Sequence, residues 1–176
     1  EMFRRVLCHE CIGHGFAKLL DEYSYEQQGI IPTSEIEQSR RMQQLGWAMN
    51  VDFTSNRETV LWKHFLNDSR YRGKDPYGEE LGVYEGACTY WRGAWRPTVE
   101  SMMRSNMHGF NAPSREAIYK RIMKLAHGAS WMYDYESFVD FDRTHLPQPI
   151  DTRTAEKPIE VFIPFATPRF VGESLR

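Results

Sequence analysis

The 176-residue sequence predicts a mixed α+β domain, mainly helical. Three observations predict it. Apolar residues recur at helical spacing in several separate stretches. Only short extended stretches stand beside them. A long run dense in Gly, Pro and aromatics separates the early helices from the late ones. Hydrophobic residues make up 41% and charged residues 26%, which suits a chain that buries a core rather than a disordered tail. The 22 basic and 24 acidic residues argue against a nucleic-acid surface as the main function. No apolar run reaches the roughly 18 residues that span a bilayer.

Residues 2–20 read as one helix, with Phe3, Val6, Leu7, Phe16, Leu19 and Leu20 as apolar positions. Gly13 and Gly15 are odd inside it, because each costs about 1 kcal/mol relative to Ala. Residues 21–33 read as a polar and aromatic connection ending at Pro32. Ser34 and Glu37 form a capping-box signature that opens a helix through Gln44, stopped by Gly46. Asn50 to Phe53 is a short extended stretch, and Ser55 or Asn56 caps a further helix to about Phe65.

From Asn67 to Pro97 the periodicity dissolves into a loop rich in Gly, Tyr and Trp. Ordered loops of this length in compact domains are usually functional. Pro113 and Ser114 then start a helix that ends at Gly128, with Ala117, Ile118, Ile122 and Leu125 on one side. Tyr135 to Phe141 makes one or two more helical turns. A linker with Pro147 and Pro149 leads to one expected strand, Ile159 to Phe165. The resulting division is a main domain over 1–146 and an extension over 147–176.

His9-Glu10-Cys11-Ile12-Gly13-His14 is the segment that carries chemistry. Metal hydrolysis needs neutral imidazole ligands and a carboxylate within reach of the attacking water. The HExxH motif meets this with two His at i and i+4 on one helix face. Here the spacing is i and i+5, which on an ideal helix turns the second His by about 140° away from the first. A π-type turn absorbs the extra residue and brings the two together, and Gly13 stands where that distortion is easiest. His9 and His14 are therefore expected as zinc ligands and Glu10 as the general base. Asp21 and Glu22 stand where the helix ends and the chain turns back. Asp21 is the first choice as third ligand and Glu22 the second. Cys8 and Cys11, three apart, read as small apolar helix residues rather than as a redox pair. His64, His108, His127 and His145 read as ordinary surface or core residues, and His108 is notable only for following the Met102-Met103 pair.

The stretch HECIGHGFAKLLDEY resembles the active-site segment of the bacterial IgA-peptidase-like zinc metallopeptidases. WRPTVESMMRSN and FNAPSREAIYKRI resemble later stretches of that family, in the same order, and the likeness spans roughly residues 5–130. The hexapeptide is also similar to the HExxGH motif of dipeptidyl peptidase III. That family's second metal-binding motif has no counterpart here, since Glu79-Glu80 is followed by Leu81-Gly82-Val83.

The resemblance implies a metzincin-like catalytic domain, with Met102 or Met103 in a turn beneath the metal, Met103 being preferred. It implies zinc-dependent hydrolysis of a protein or peptide, with Glu10 passing a proton from water to the leaving amine. The family layout places a sheet before the active-site helix. The chain is therefore expected to hold the helical lower half and to pair with an upstream segment of the same precursor. The family is secreted, periplasmic or surface-attached. The alternative is a non-catalytic, metal-stabilised module that binds glycan or protein through the aromatic stretch Tyr84 to Trp95.

Overall fold

A computed structural model describes residues 2–73 and 79–145. The expected strand at Ile159 to Phe165 and the extension over 147–176 lie outside the described residues. The fold is mixed α+β, as the sequence predicts, with a small three-stranded sheet among several helices.

The expected first helix is two structures in one. Helix α1 (Met2–Leu7) runs directly into a π-helix (Cys8–Phe16). The π-helix ends at Ala17, whose N–H reaches back five residues to the Ile12 carbonyl at 2.9 Å. Lys18 then takes a left-handed conformation (φ 58°), and the Leu19 N–H returns to the Gly13 carbonyl at 3.0 Å. This is a helix stop of the left-handed type, widened by the π geometry.

The connection read at 21–33 contains strand β1 (Ser24–Ile30), and the long aromatic loop contains a hairpin, β2 (Tyr84–Ala87) and β3 (Thr89–Arg96). The sheet order is β1-β3-β2, with β1 parallel and β2 antiparallel to β3. Asp52 and Trp95 exchange backbone hydrogen bonds of 3.0 and 2.8 Å, so the short extended stretch near Asn50 joins the sheet as an isolated bridge. The hairpin turn is made by Cys88 and Thr89, both with positive φ (53° and 69°). Such turns match the twist of a hairpin, but they ordinarily use Asn and Gly.

Helix α2 (Thr33–Gln44) starts one residue before the expected box, and Pro32 takes the cap position. The Ser34/Glu37 pair is not used. The Pro32 carbonyl accepts from Glu35 and Ile36 N–H instead, at 3.1 and 3.2 Å. The helix expected to run to Phe65 is broken. Asn56 caps a single turn, and α3 (Lys63–Asn67) follows, continued by a 3-10 turn (Ser69–Tyr71). The short α4 (Met102–Ser105), then α5 (Ala112–His127) and α6 (Tyr135–Thr144) complete the described chain. Asn111 caps α5 through its side chain, and Gly128 ends it with φ 78°. Of the stripe expected on α5, Ala117 is buried, while Ile122 and Leu125 are exposed.

Three apolar clusters fill the interior. Trp62, Phe65, Tyr71, Tyr119 and Phe138 tie α3, α5 and α6 together. Ile31, Val51, Ala87 and Ala94 sit between the sheet and α2. Ala17, Leu19, Met103 and Ala117 form the third cluster, which underlies the π-helix.

Candidate metal centre

The i, i+5 spacing meets its geometric demand. In the π-helix His9 and His14 fall on one face, with their Nε2 atoms 3.1 Å apart. Asp21 Oδ1 completes the set at 3.0 Å from His9 Nε2 and 3.1 Å from His14 Nε2. Three donor atoms on a tetrahedral ion at about 2.0–2.2 Å stand roughly 3.3–3.5 Å apart. The observed triangle is therefore within a few tenths of an ångström of one that closes on a metal, and these three residues are the one such group among the described residues.

The other imidazole nitrogens decide which way the lone pairs face. His9 Nδ1 donates to the Met102 carbonyl at 2.9 Å and to Asn106 Oδ1 at 2.7 Å. His14 Nδ1 donates to the Leu19 carbonyl at 2.7 Å. A backbone carbonyl can only accept, so both rings carry hydrogen on Nδ1 and, when neutral, present a bare Nε2 to the centre. Outer contacts of this kind fix the orientation of metal-binding histidines. The left-handed turn at Lys18 is what swings the Leu19 carbonyl back onto His14.

Two nitrogen lone pairs and a carboxylate oxygen aimed at one point repel unless a cation stands between them. With protons as the only cations, Asp21 holds both imidazoles above their ordinary pKa, against the effect of burial. Burial alone pushes Asp21 up, but its hydrogen bonds to His14 and His9 outweigh this and hold it well below the usual carboxyl range. A divalent ion satisfies the same three atoms. The donor set, two imidazole nitrogens and one carboxylate oxygen, suits zinc, though not zinc exclusively. His9 is buried, whereas the side chains of His14 and Asp21 are 32% and 22% exposed, so the centre opens to solvent on one side.

Asp21 is held in place from both flanks. The Cys88 N–H donates to its carbonyl at 2.9 Å, and the Thr89 N–H donates to the Tyr23 carbonyl at 3.0 Å. The two left-handed residues of the hairpin thus grip the segment that carries Asp21. On the other side the Glu22 N–H donates to the Met103 carbonyl at 2.8 Å.

Glu22, the second choice for the third ligand, points the opposite way. It is fully buried, and its carboxyl accepts from Asn50 Nδ2 (2.8 Å), Ser101 Oγ (2.6 Å) and Asn111 Nδ2 (2.9 and 3.1 Å). Adjacent residues in an extended segment face opposite sides. Asp21 therefore serves the centre while Glu22 joins three segments behind it.

Glu10 is exposed, and its charge is among those that raise the His14 and Tyr23 pKa values, so it lies in the electrostatic neighbourhood of the centre. Tyr23 is hydrogen-bonded to Asp21. Burial first, then the Asp21 charge, pushes its hydroxyl up to about 12, so it stays protonated. Arg104 is engaged elsewhere, with the Val99 carbonyl at 2.8 Å and the Glu100 carboxylate. Met103 is completely buried against Gly13, whereas Met102 contributes its carbonyl to His9. Sequence reasoning missed Asn106. Its signal was a left-handed C-cap position, where Asn is tolerated. Among the described residues, no helix is long and apolar enough to cross a membrane. No family model matches the chain, and no curated protein matches it.

Proposed function

We propose that the chain is the catalytic part of a zinc-dependent endopeptidase, metzincin-like in layout. The observation that carries this reading is the convergence of His9 Nε2, His14 Nε2 and Asp21 Oδ1, with both Nδ1 atoms tied to carbonyls and Glu10 next to His9. Three protein ligands and one open side are the usual pattern of a catalytic site rather than of a closed structural one. A zinc ion held there supplies Lewis-acid charge that acidifies water and polarises a carbonyl.

The chain's own residues do the remaining work. Glu10, exposed and unpaired with the ligands, takes a proton from the attacking water and delivers it to the leaving amine. Tyr23, kept protonated, orients Asp21. Asp21 adds the negative charge that favours a cation at the centre. Met103 fills the space under the π-helix and fixes its height. A protein of this kind acts on protein or peptide substrates, and the resemblance points to a secreted or surface setting.

The test is metal content by elemental analysis, together with cleavage of casein and a peptide library with and without a chelator. Bound zinc with chelator-sensitive cleavage is the expected result. Glu10→Gln is expected to keep the metal and lower cleavage at least 100-fold, at the lower end of the general acid–base contribution. Metal retention without any cleavage by the unmodified protein would instead favour a binding module.

A further inference from the structure

A cavity of about 230 Å³ lies against the C-terminal half of α5, and none of His9, His14 or Asp21 lines it. Its walls combine two kinds of side chain. Trp47, Trp131 and Tyr133 supply flat apolar surface, while Lys120, Arg121 and Lys124 supply positive charge. No acidic side chain lines it.

The three cations are not equivalent. Lys120 is already committed, with Nζ 3.1 Å from Glu116 Oε1 and 4.0 Å from the Tyr133 ring centre. Arg121 is not. Its Nε is sealed from solvent and has no hydrogen-bond acceptor among the described residues. A sealed Nε does not face the cavity, but the Arg121 guanidinium as a whole has no ionic or hydrogen-bonded partner among the described residues, so its terminal N–H groups are left for an acceptor at the cavity wall. The partner must accept hydrogen bonds and carry negative charge. The two terminal nitrogens of a guanidinium form a fork that fits a carboxylate with two parallel bonds. Lys124, one helical turn away from Lys120, adds charge at the same wall.

We propose that this cavity binds a small organic anion, a carboxylate carried on a flat ring, held by Arg121 and stacked between Trp47 and Trp131. The ring follows from the walls. An inorganic anion satisfies Arg121 but leaves the aromatic surfaces without contact, and flat aromatic faces favour stacked or edge-on rings. The size follows from the volume, which falls below the roughly 300–1,000 Å³ of drug-sized sites and so admits about one ring with its carboxylate. The site is independent of the metal reading and stands whether or not the chain is a peptidase.

The probe is benzoate, followed through the indole N–H signals of Trp47 and Trp131 in a proton–nitrogen correlation spectrum. Assignment comes from Trp47→Phe and Trp131→Phe. Benzoate is expected to shift both signals saturably. Benzyl alcohol, of similar shape without the charge, and inorganic phosphate, charged without the ring, are each expected to bind at least tenfold more weakly. Arg121→Met is expected to weaken benzoate at least tenfold. The proposal is overturned if benzoate gives no saturable shift, if either control binds as well as benzoate, or if Arg121→Met leaves benzoate affinity unchanged. The comparison of the three probes needs only the unmodified protein, so it decides the matter even if the variant fails to fold.

Discussion

The sulfur of Met103 lies so close to Gly13 that a β-carbon added there would stand 2.3 Å from it. The glycine between the two histidines is therefore a site of close approach. Met103 is completely buried among Ala17, Leu19 and Ala117, so its flexible end has little room to yield. Overpacking of a tight core costs about 1–3 kcal/mol, and alanine's better helix propensity returns about 1 kcal/mol of it. Gly13→Ala is expected to destabilise the protein by up to roughly 2 kcal/mol in urea denaturation. Met103→Ala in the same chain should relieve the clash, so the double variant should show non-additive coupling. A stabilised Gly13→Ala would contradict the steric account.

Protons and a metal ion would compete for the same atoms of His9, His14 and Asp21, which sets the sign of the pH dependence. The hydrogen bond to Asp21 is the largest cause that holds His9 and His14 above the ordinary imidazole value of 6.5. Without metal, the His–Asp21 pairing contributes stability that is full between the ordinary Asp value of 3.8 and 6.5, is lost as pH rises through the raised histidine values, and is lost in acid as pH falls through the lowered Asp21 value. Metal binding needs both imidazoles neutral, so it releases protons and strengthens as pH rises through the same range. Apparent affinity is expected to climb by up to about two orders of magnitude per pH unit where both rings are protonated, and to level off above. Competition with a chelator of known pH dependence measures this slope. A flat profile across the range would remove the two histidines from the ligand set.

The chemistry of this chain was more legible in its sequence than its sheet was. The HExxxH spacing makes sense for a metal only if the helix widens, and the helix does widen over Cys8–Phe16. Asp21 was readable because the chain had to turn back just after the second histidine. Glu22 was readable only as an alternative, since nothing in a one-residue difference tells which carboxylate faces in. The hairpin was hidden by its turn: Cys88 and Thr89 adopt left-handed conformations that the sequence marks with neither Gly nor Asn. Strand β1, SYEQQGI, is mostly exposed, so it lacks the alternation that reveals a half-buried strand. Both strands are held by tertiary pairing that local sequence does not encode.

Behind the centre, Glu22 gathers Asn50, Ser101 and Asn111, which belong to three separate segments. Its oxygens accept from the Nδ2 groups of Asn50 and Asn111, while the Ser101 hydroxyl donates to a carboxylate and can turn to accept from a carboxylic acid. Glu22→Gln turns one of these oxygens into an amide N–H that faces an Asn amide donor, at a cost of about 1–3 kcal/mol. The acid side has its own sign. Burial raises the Glu22 carboxyl above its ordinary value of 4.5, so folding favours its protonated form. Its contribution is full below 4.5 and declines as pH rises through the raised value. The difference in stability between the two proteins, followed by urea denaturation from acid to neutral pH, should therefore be largest at low pH. A pH-independent difference would mean that Glu22 does not titrate differently in the folded chain.

Asn106 tests whether the histidine orientation is built in by the fold. It sits just after α4 with φ 61°, and its side-chain oxygen accepts the His9 Nδ1 proton at 2.7 Å. The Met102 carbonyl accepts the same proton at 2.9 Å, so His9 retains one partner if Asn106 is replaced. Glycine tolerates the left-handed backbone as well as Asn does, which makes Asn106→Gly a near-pure deletion of the side-chain contact. Loss of an outer hydrogen bond of this type typically weakens metal affinity by about 10–100-fold. The remaining Met102 contact places Asn106→Gly near the lower bound, about 10-fold. Asn106→Ala adds the strain of a β-carbon at positive φ, so it should also lower thermal stability, which the glycine variant should largely preserve. Metal titration and melting on the two variants separate the effects. Equal metal affinity in the glycine variant and the unmodified protein would show that the Met102 carbonyl alone orients His9.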